Sequence, residues 1–250
     1  MRPVRAFAAL VLVVLVAGCS VPGPGEAPGG IHDPEEAQNR EVHQFNVALD
    51  RTVLRPVARA YDTTVPQPAR SAVSNFVDTW STPGTIVNQV LQGRLVRAGR
   101  NTLRFVTNAT VGLGGLVDVA SDLELHEDDS DFGETLHVWG APEGAYIELP
   151  LLGPSTERDA VGRIVDFALD PLGPALTDPQ ARARTTARVA DLVGERGARG
   201  ETIDALLYDS ADSYSQLRLI YLQNRRFALG MAPPEQEVQS DQLALDTEGF

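Results

Sequence analysis

The sequence predicts an all-α, or nearly all-α, fold, and three observations carry that reading. Apolar residues recur at three- and four-residue steps through most of the chain, the spacing of one helix face. Helix-start and helix-stop residues punctuate those runs. Only residues 145–149 (AYIEL) read as extended.

The chain begins with Arg2 and Arg5, an apolar run from Ala6 to Val16, and the small residues Ala17 and Gly18 before Cys19, its only cysteine. Positive charge, apolar stretch and small-residue cleavage site, in that order, make a secretory signal over residues 1–18. A thiol at the first mature position looks like a bacterial lipobox, which makes Cys19 the expected lipid attachment site. Residues 19–34 are rich in Pro and Gly with few apolar side chains, and read as a flexible tether. A helical domain is expected over 35–230. Residues 231–250 carry acidic residues and no arginine, and read as a disordered tail.

Within the domain, Val42, Phe45, Leu49, Val53 and Val57 share one helix face, and Pro56 is expected to kink or break that helix. A second helix is expected over about 69–79 with Val73, Phe76 and Val77 inward, a third after Pro83, and a fourth from Leu95 to Thr107. Thr156 and Asp159 resemble a capping box that opens a helix to about Leu169. Asp178-Pro179 provides an N-cap and a first-turn proline for a helix to about Gly194, interrupted by Gly194, Gly197 and Gly200. Ser210 and Ser213 start the last helix, with Tyr214, Leu217, Tyr221 and Ala228 on one face and Gly230 as its C-terminal cap.

Composition narrows the function classes. One cysteine allows no internal disulfide, so the exported fold stands on packing, and 43% hydrophobic residues suffice for a sizeable core. All 21 basic residues are arginine. The net charge is −13, and −15 once Arg2 and Arg5 leave with the signal. Such a chain is repelled by nucleic acid, and no nucleic-acid partner is expected. No mature segment reaches the ~18 apolar residues of a membrane-spanning helix, so membrane attachment rests on Cys19.

Residues 109–120 (ATVGLGGLVDVA) place Gly112, Gly114 and Gly115 among Leu113, Leu116 and Val117. Glycine at this density marks positive φ or close backbone approach. It is not a phosphate loop, because no Lys-Ser/Thr follows. Two readings stand: a buried tight hairpin, or an apolar hairpin facing a lipid tail or a channel. Residues 126–131 (HEDDSD) lack calcium-loop spacing and read as a solvated acidic turn, so no metal or other cofactor is implied. His137 reads as a packed side chain. The esterase elbow G-x-S-x-G is absent, Ser155 reads as a helix-start residue, and no catalytic residues are assigned.

Ordered blocks run from about Asp33 to Arg226. They include Asp33-Pro34-Glu35 with Asn39-Arg40, Phe45-Asn46, Arg55-Pro56-Val57-Ala58 and Ser74-Asn75-Phe76. Leu91-Gln92-Gly93, Thr110 to Gly115, Asp131 to Leu136, Leu149 to Ser155 and Arg158-Asp159 follow. In this order the blocks resemble the MlaA (VacJ) family of outer-membrane lipoproteins. Asp78-Thr79-Trp80, Ala109 and Ala141-Pro142 depart from the family pattern. The resemblance implies a ring- or disc-like set of amphipathic helices around a channel, at the periplasmic face of the outer membrane. It implies removal of mislocalised phospholipids from the outer leaflet, without bond chemistry. The implied partners are phospholipids, a trimeric outer-membrane porin and a periplasmic lipid carrier of the Mla pathway. By resemblance, Phe45 and Asn46 bear on channel control, and the 112–117 turn suits a channel wall. From the residues alone, Phe45 and Asn46 are equally a core aromatic and a helix-capping amide. The alternative function is a porin-associated structural lipoprotein without lipid transport.

Overall fold

The computed structural model describes residues 27 and 30–231. The signal, Cys19, most of the tether and the tail therefore lie outside the described residues. Helix α1 (Glu36–Leu49) passes through a π-helical turn (Asp50–Leu54) into α2 (Arg55–Thr64). Pro56 thus does not break the run. The backbone widens just ahead of it, which places the proline in the first turn of α2, where its missing N–H costs least.

Helix α3 (Gln67–Leu91) is one helix, where two were expected around Pro83. Proline removes a rung of the ladder and usually stops a helix. Here Ser81 and Thr82 turn their hydroxyls back to the Asp78 carbonyl at 2.9 and 2.8 Å, and α4 and α8 pack along the helix. Tertiary packing outweighs the local penalty. Val73, Phe76 and Val77 are only half-buried.

Helix α4 (Leu95–Thr110) runs back along α3, followed by a tight turn and the short α5 (Val119–Asp122). Helix α6 (Phe132–Val138) is capped by Asp131, whose carboxylate accepts from the Glu134 N–H at 2.7 Å. Strand β1 (Tyr146–Leu149) pairs antiparallel with β2 (Gly153–Thr156), Tyr146 opposite Thr156. The second strand was unexpected, because Gly153 and Pro154 both weaken a strand signal. Ser155 lies in this strand, fully buried, rather than in the helix start.

Helix α7 (Glu157–Ala168) opens as expected on Thr156, whose hydroxyl accepts from the Asp159 N–H. Helix α8 (Asp178–Ala198) is capped by Thr177 through a reciprocal box with Gln180, one residue before the expected Asp178. Gly194 and Gly197 lie within α8 and do not interrupt it. A Cβ at Gly194 would meet the Tyr61 ring at 3.2 Å, and one at Gly197 the Ala58 carbonyl at 3.1 Å. These glycines let α8 approach α2 closely. Helix α9 (Gly200–Asp204), a second π turn (Ala205–Asp209) and α10 (Ser213–Ala228) complete the chain. Asp212 caps α10, not Ser210. Leu222 is buried on its inner face, whereas Ala228 is exposed.

The expected sizeable apolar core is absent among the described residues. Two small clusters replace it: Phe132, Leu136 and Ala141 with Val161 and Val165, and Tyr146, Tyr214 and Leu222 with Ile31 and Tyr221. His137 is half-buried beside the first, where Phe132 and Trp139 meet edge to face at 5.6 Å.

Candidate functional site

Helix α4 shows where the remaining apolar residues went. Its buried side is Ala98, Asn101, Arg104 and Asn108. Its outer side carries Val96, 80% exposed, with Leu95, Leu103 and Val106. Helix α3 follows the same rule, burying Thr79, Thr82, Asn88 and Gln89 while exposing Val87, Val90 and Leu91. Both helices are amphipathic with their polar side inward. A buried polar group costs free energy unless it is paired, and here the pairing is dense. Gln89 and Asn101 both donate to the Asp128 carbonyl, at 2.7 and 2.8 Å, and Arg104 donates to the Leu125 carbonyl at 2.8 Å. The 126–131 segment keeps His126, Glu127 and Asp129 exposed, as a solvated acidic turn does, but it is also anchored through Asp128. Its backbone closes the polar interior, and the Asp128 carboxylate pairs with Arg97.

The outer apolar surface is more than a free-standing fold in water ordinarily leaves uncovered. Each exposed apolar Å² forgoes about 25 cal/mol of hydrophobic stabilisation in water, and a patch of this extent marks a protein or membrane contact. Among the described residues, no helix is long and apolar enough to cross a membrane. The geometry leaves one flank of these helices free for an apolar contact, protein or lipid.

The glycine turn belongs to this outer surface. Leu113 is 71% exposed, and Val111, Leu116 and Val117 are exposed with it, so the turn is tight without its side chains being buried. Gly114 and Gly115 hold φ of 75° and 93°, values that L side chains rarely adopt. At Gly112 an added Cβ would sit 2.2 Å from the Val117 carbonyl, and at Gly115 it would strike Thr79. The turn is pinned to α3: the Trp80 indole donates to the Gly114 carbonyl at 2.9 Å and Asn75 to the Leu116 carbonyl at 3.2 Å. Two residues that depart from the family pattern, Thr79 and Trp80, thus form its seat. Behind it, burial alone would raise the Asp118 carboxyl. Hydrogen bonds from Ser121, Asn108 and Arg104 outweigh burial and lower it to about 2.

Phe45 and Asn46 lie elsewhere, on α1 against the β-hairpin. Phe45 is half exposed and is no core aromatic. Asn46 caps no helix. Its amide donates to the Leu149 carbonyl at 3.0 Å and its carbonyl accepts from the Leu151 N–H at 2.8 Å, clamping the hairpin tip to α1. The structure does not bring this pair and the glycine turn together.

Two cavities flank the contact between α3 and α8, one of about 470 Å³ beside Tyr61, Arg70 and Asp191, the other of about 350 Å³ beside Thr85, Asn88, Asp166 and Arg188. Asp78 lies on α3 between these stretches. Burial, then the charges of Asp191, Asp129 and Glu195, raise its carboxyl to about 6. None of Phe45, Asn46 and residues 112–117 lines either cavity. Sequence reasoning missed the cavity residues because they come from separate helices with no shared spacing. Gly84, which the structure puts inside α3, gave no hint, because Pro83 beside it reads as a helix boundary.

Comparison with known proteins places these features. The MlaA lipoprotein family model matches residues 31–228. The intermembrane phospholipid transport system lipoprotein MlaA of Shigella flexneri is 35% identical over 246 residues, covering 94% of this chain and 95% of the relative. Its counterpart in Haemophilus influenzae is 30% identical, covering 91% of each chain. A solved structure described as the structural basis for maintenance of bacterial outer membrane lipid asymmetry superposes with a TM-score of 0.68 at 34% identity, covering 79% of this chain and 98% of that one. The helical fold is thus shared with that solved structure, and the chain belongs to the MlaA lipoprotein family.

Proposed function

We propose that this protein is an outer-membrane lipoprotein of the intermembrane phospholipid transport system. It removes mislocalised phospholipids from the outer leaflet and thereby maintains lipid asymmetry. The inversion of polarity carries this reading: polar residues inside and apolar side chains outside suit helices lying in a leaflet while enclosing a path that a charged headgroup can follow. The names of the relatives point the same way. The process is translocation, with no bond made or broken.

The finer reading is ours as well. Acyl chains on Cys19 hold the protein at the periplasmic face of the outer membrane, each buried methylene adding about 0.8 kcal/mol. The helices close into a ring around an amphipathic channel, with the glycine turn on its apolar wall and the Phe45–Asn46 stretch affecting its opening. A trimeric porin flanks the ring, and a periplasmic carrier receives the lipid. A clean deletion is expected to accumulate phospholipid in the outer leaflet and to lose detergent resistance, with both restored by the wild-type gene. Unchanged outer-leaflet lipid in the deletion would refute the reading and leave the structural, porin-associated role.

A further inference from the structure

The cavity of about 350 Å³ between α3, α7 and α8 is built unlike a packing defect. Its α3 wall contains Gly84 in the middle of a helix, where glycine is less favourable than alanine. Close approach does not require it, since a Cβ there would meet nothing within 4 Å. The space beside it is open. Asp166 lines this space and accepts from the Asn88 amide at 2.8 Å and the Phe132 N–H at 3.0 Å, yet no cation pairs with it among the described residues. Burial, with the nearby Asp131 charge, holds its carboxyl above the usual range. Arg188 also lines the cavity, and among the described residues it makes no ion pair and the Nε of buried Arg184 has no hydrogen-bond partner. Arg184 otherwise pairs with Asp170 and donates to the Trp80 carbonyl. Among the described residues, one carboxylate and one guanidinium of this cavity therefore make no direct ion pair. At its rim Phe167 is 85% exposed, an apolar lip beside a polar floor.

We infer that this cavity selects zwitterionic aminophospholipids, taking the phosphodiester at Arg188 and the primary ammonium at Asp166, with the glycerol and chains leaving past Phe167. The inference rests on the transport reading above and specifies its substrate class. An anionic headgroup satisfies Arg188 but leaves Asp166 unpaired. Free phosphate satisfies Arg188 and gains nothing from Phe167.

The test is a titration of full-length, detergent-solubilised protein with dihexanoyl-phosphatidylethanolamine, dihexanoyl-phosphatidylglycerol and inorganic phosphate. Wild type is expected to prefer the ethanolamine lipid and to ignore phosphate at matched concentration. Arg188→Gln, on an exposed helix position, is expected to weaken both lipids roughly tenfold, with Arg188→Lys restoring most of the loss. Asp166→Asn is expected to erase the preference, and Gly84→Leu to fill the cavity and block both lipids without unfolding. Equal affinity of wild type for the two lipids overturns the selection. Phosphate binding as tight as the lipids makes this a free-anion site and overturns it too, as does binding unaffected by Arg188→Gln. Any of these failures with an intact outer-leaflet lipid phenotype in the deletion strain leaves the transport reading standing; loss of that phenotype sinks the reading itself.

Discussion

Asp118 gathers the turn between α4 and α5 around one charge. Its carboxylate accepts from Arg104 at 2.8 Å, Asn108 at 2.9 Å and the Ser121 N–H at 3.2 Å. These bonds lower its pKa from 3.8 to about 2 although burial opposes them. A depressed acid contributes stability above its unfolded value and loses it as pH falls through its folded value. About 2 kcal/mol is therefore expected to vanish between about pH 4 and about pH 2. Urea unfolding of wild type and Asp118→Asn across that window measures it: the variant is expected to be weaker at neutral pH and flatter in acid. Asn46 makes a second residue-scale prediction. Asn46→Ala removes both clamps on the hairpin tip, and a loss of roughly 1–3 kcal/mol is expected in thermal unfolding, together with faster amide exchange at Leu151. An unchanged exchange rate at Leu151 would show that the hairpin stands alone.

At the scale of elements, helix existence was largely legible and helix direction was not. Periodicity reveals that α4 has a polar and an apolar face, but not which one meets the protein. A reading that assumes water outside puts the apolar face inward, and here that face is outward. Local rules failed where tertiary packing overrode them: Pro83 sits inside α3, and Gly194 and Gly197 sit inside α8 against α2. They succeeded where the chemistry was local, as with Thr156 and with Gly230, whose φ is 69°. The glycine turn was recognised as special from composition, yet its seat on Thr79 and Trp80 needed the fold. That seat sharpens the choice of variants. Replacing Gly115 by leucine combines a strained φ with a clash against Thr79, so it is expected to unfold the turn rather than to plug a path. Leu113→Asp changes only an exposed side chain. It is expected to keep the thermal midpoint within a few degrees while impairing restoration of detergent resistance in the deletion strain, and full restoration would remove the turn from the lipid contact.

For the whole molecule, the blocks that carried the family resemblance are largely its polar interior. Asn39, Glu134, Arg158 and Asp159 of those blocks are all buried, as are Asp50, Arg104 and Asn108. Asp50 binds Arg196 at 2.8 Å, and Asp159 binds Arg225 at 2.9 Å, joining helices far apart in the chain. These charge pairs take the role that an apolar core has in a water-soluble protein, because the apolar side chains are committed outside. Cys19→Ala is accordingly expected to change placement and not folding, with the purified variant melting as wild type does. The outer face itself gives the most direct test. Single spin labels at Val96 and Leu103, with Cys19 occupied by its acyl chains, are placed in the lipidated protein in vesicles. The labels are then probed with oxygen and with a water-soluble nickel chelate. Both labels are predicted to be accessible to oxygen and shielded from the chelate, as residues in lipid are. Ready quenching by the chelate at both positions would put this face in water and contradict the account.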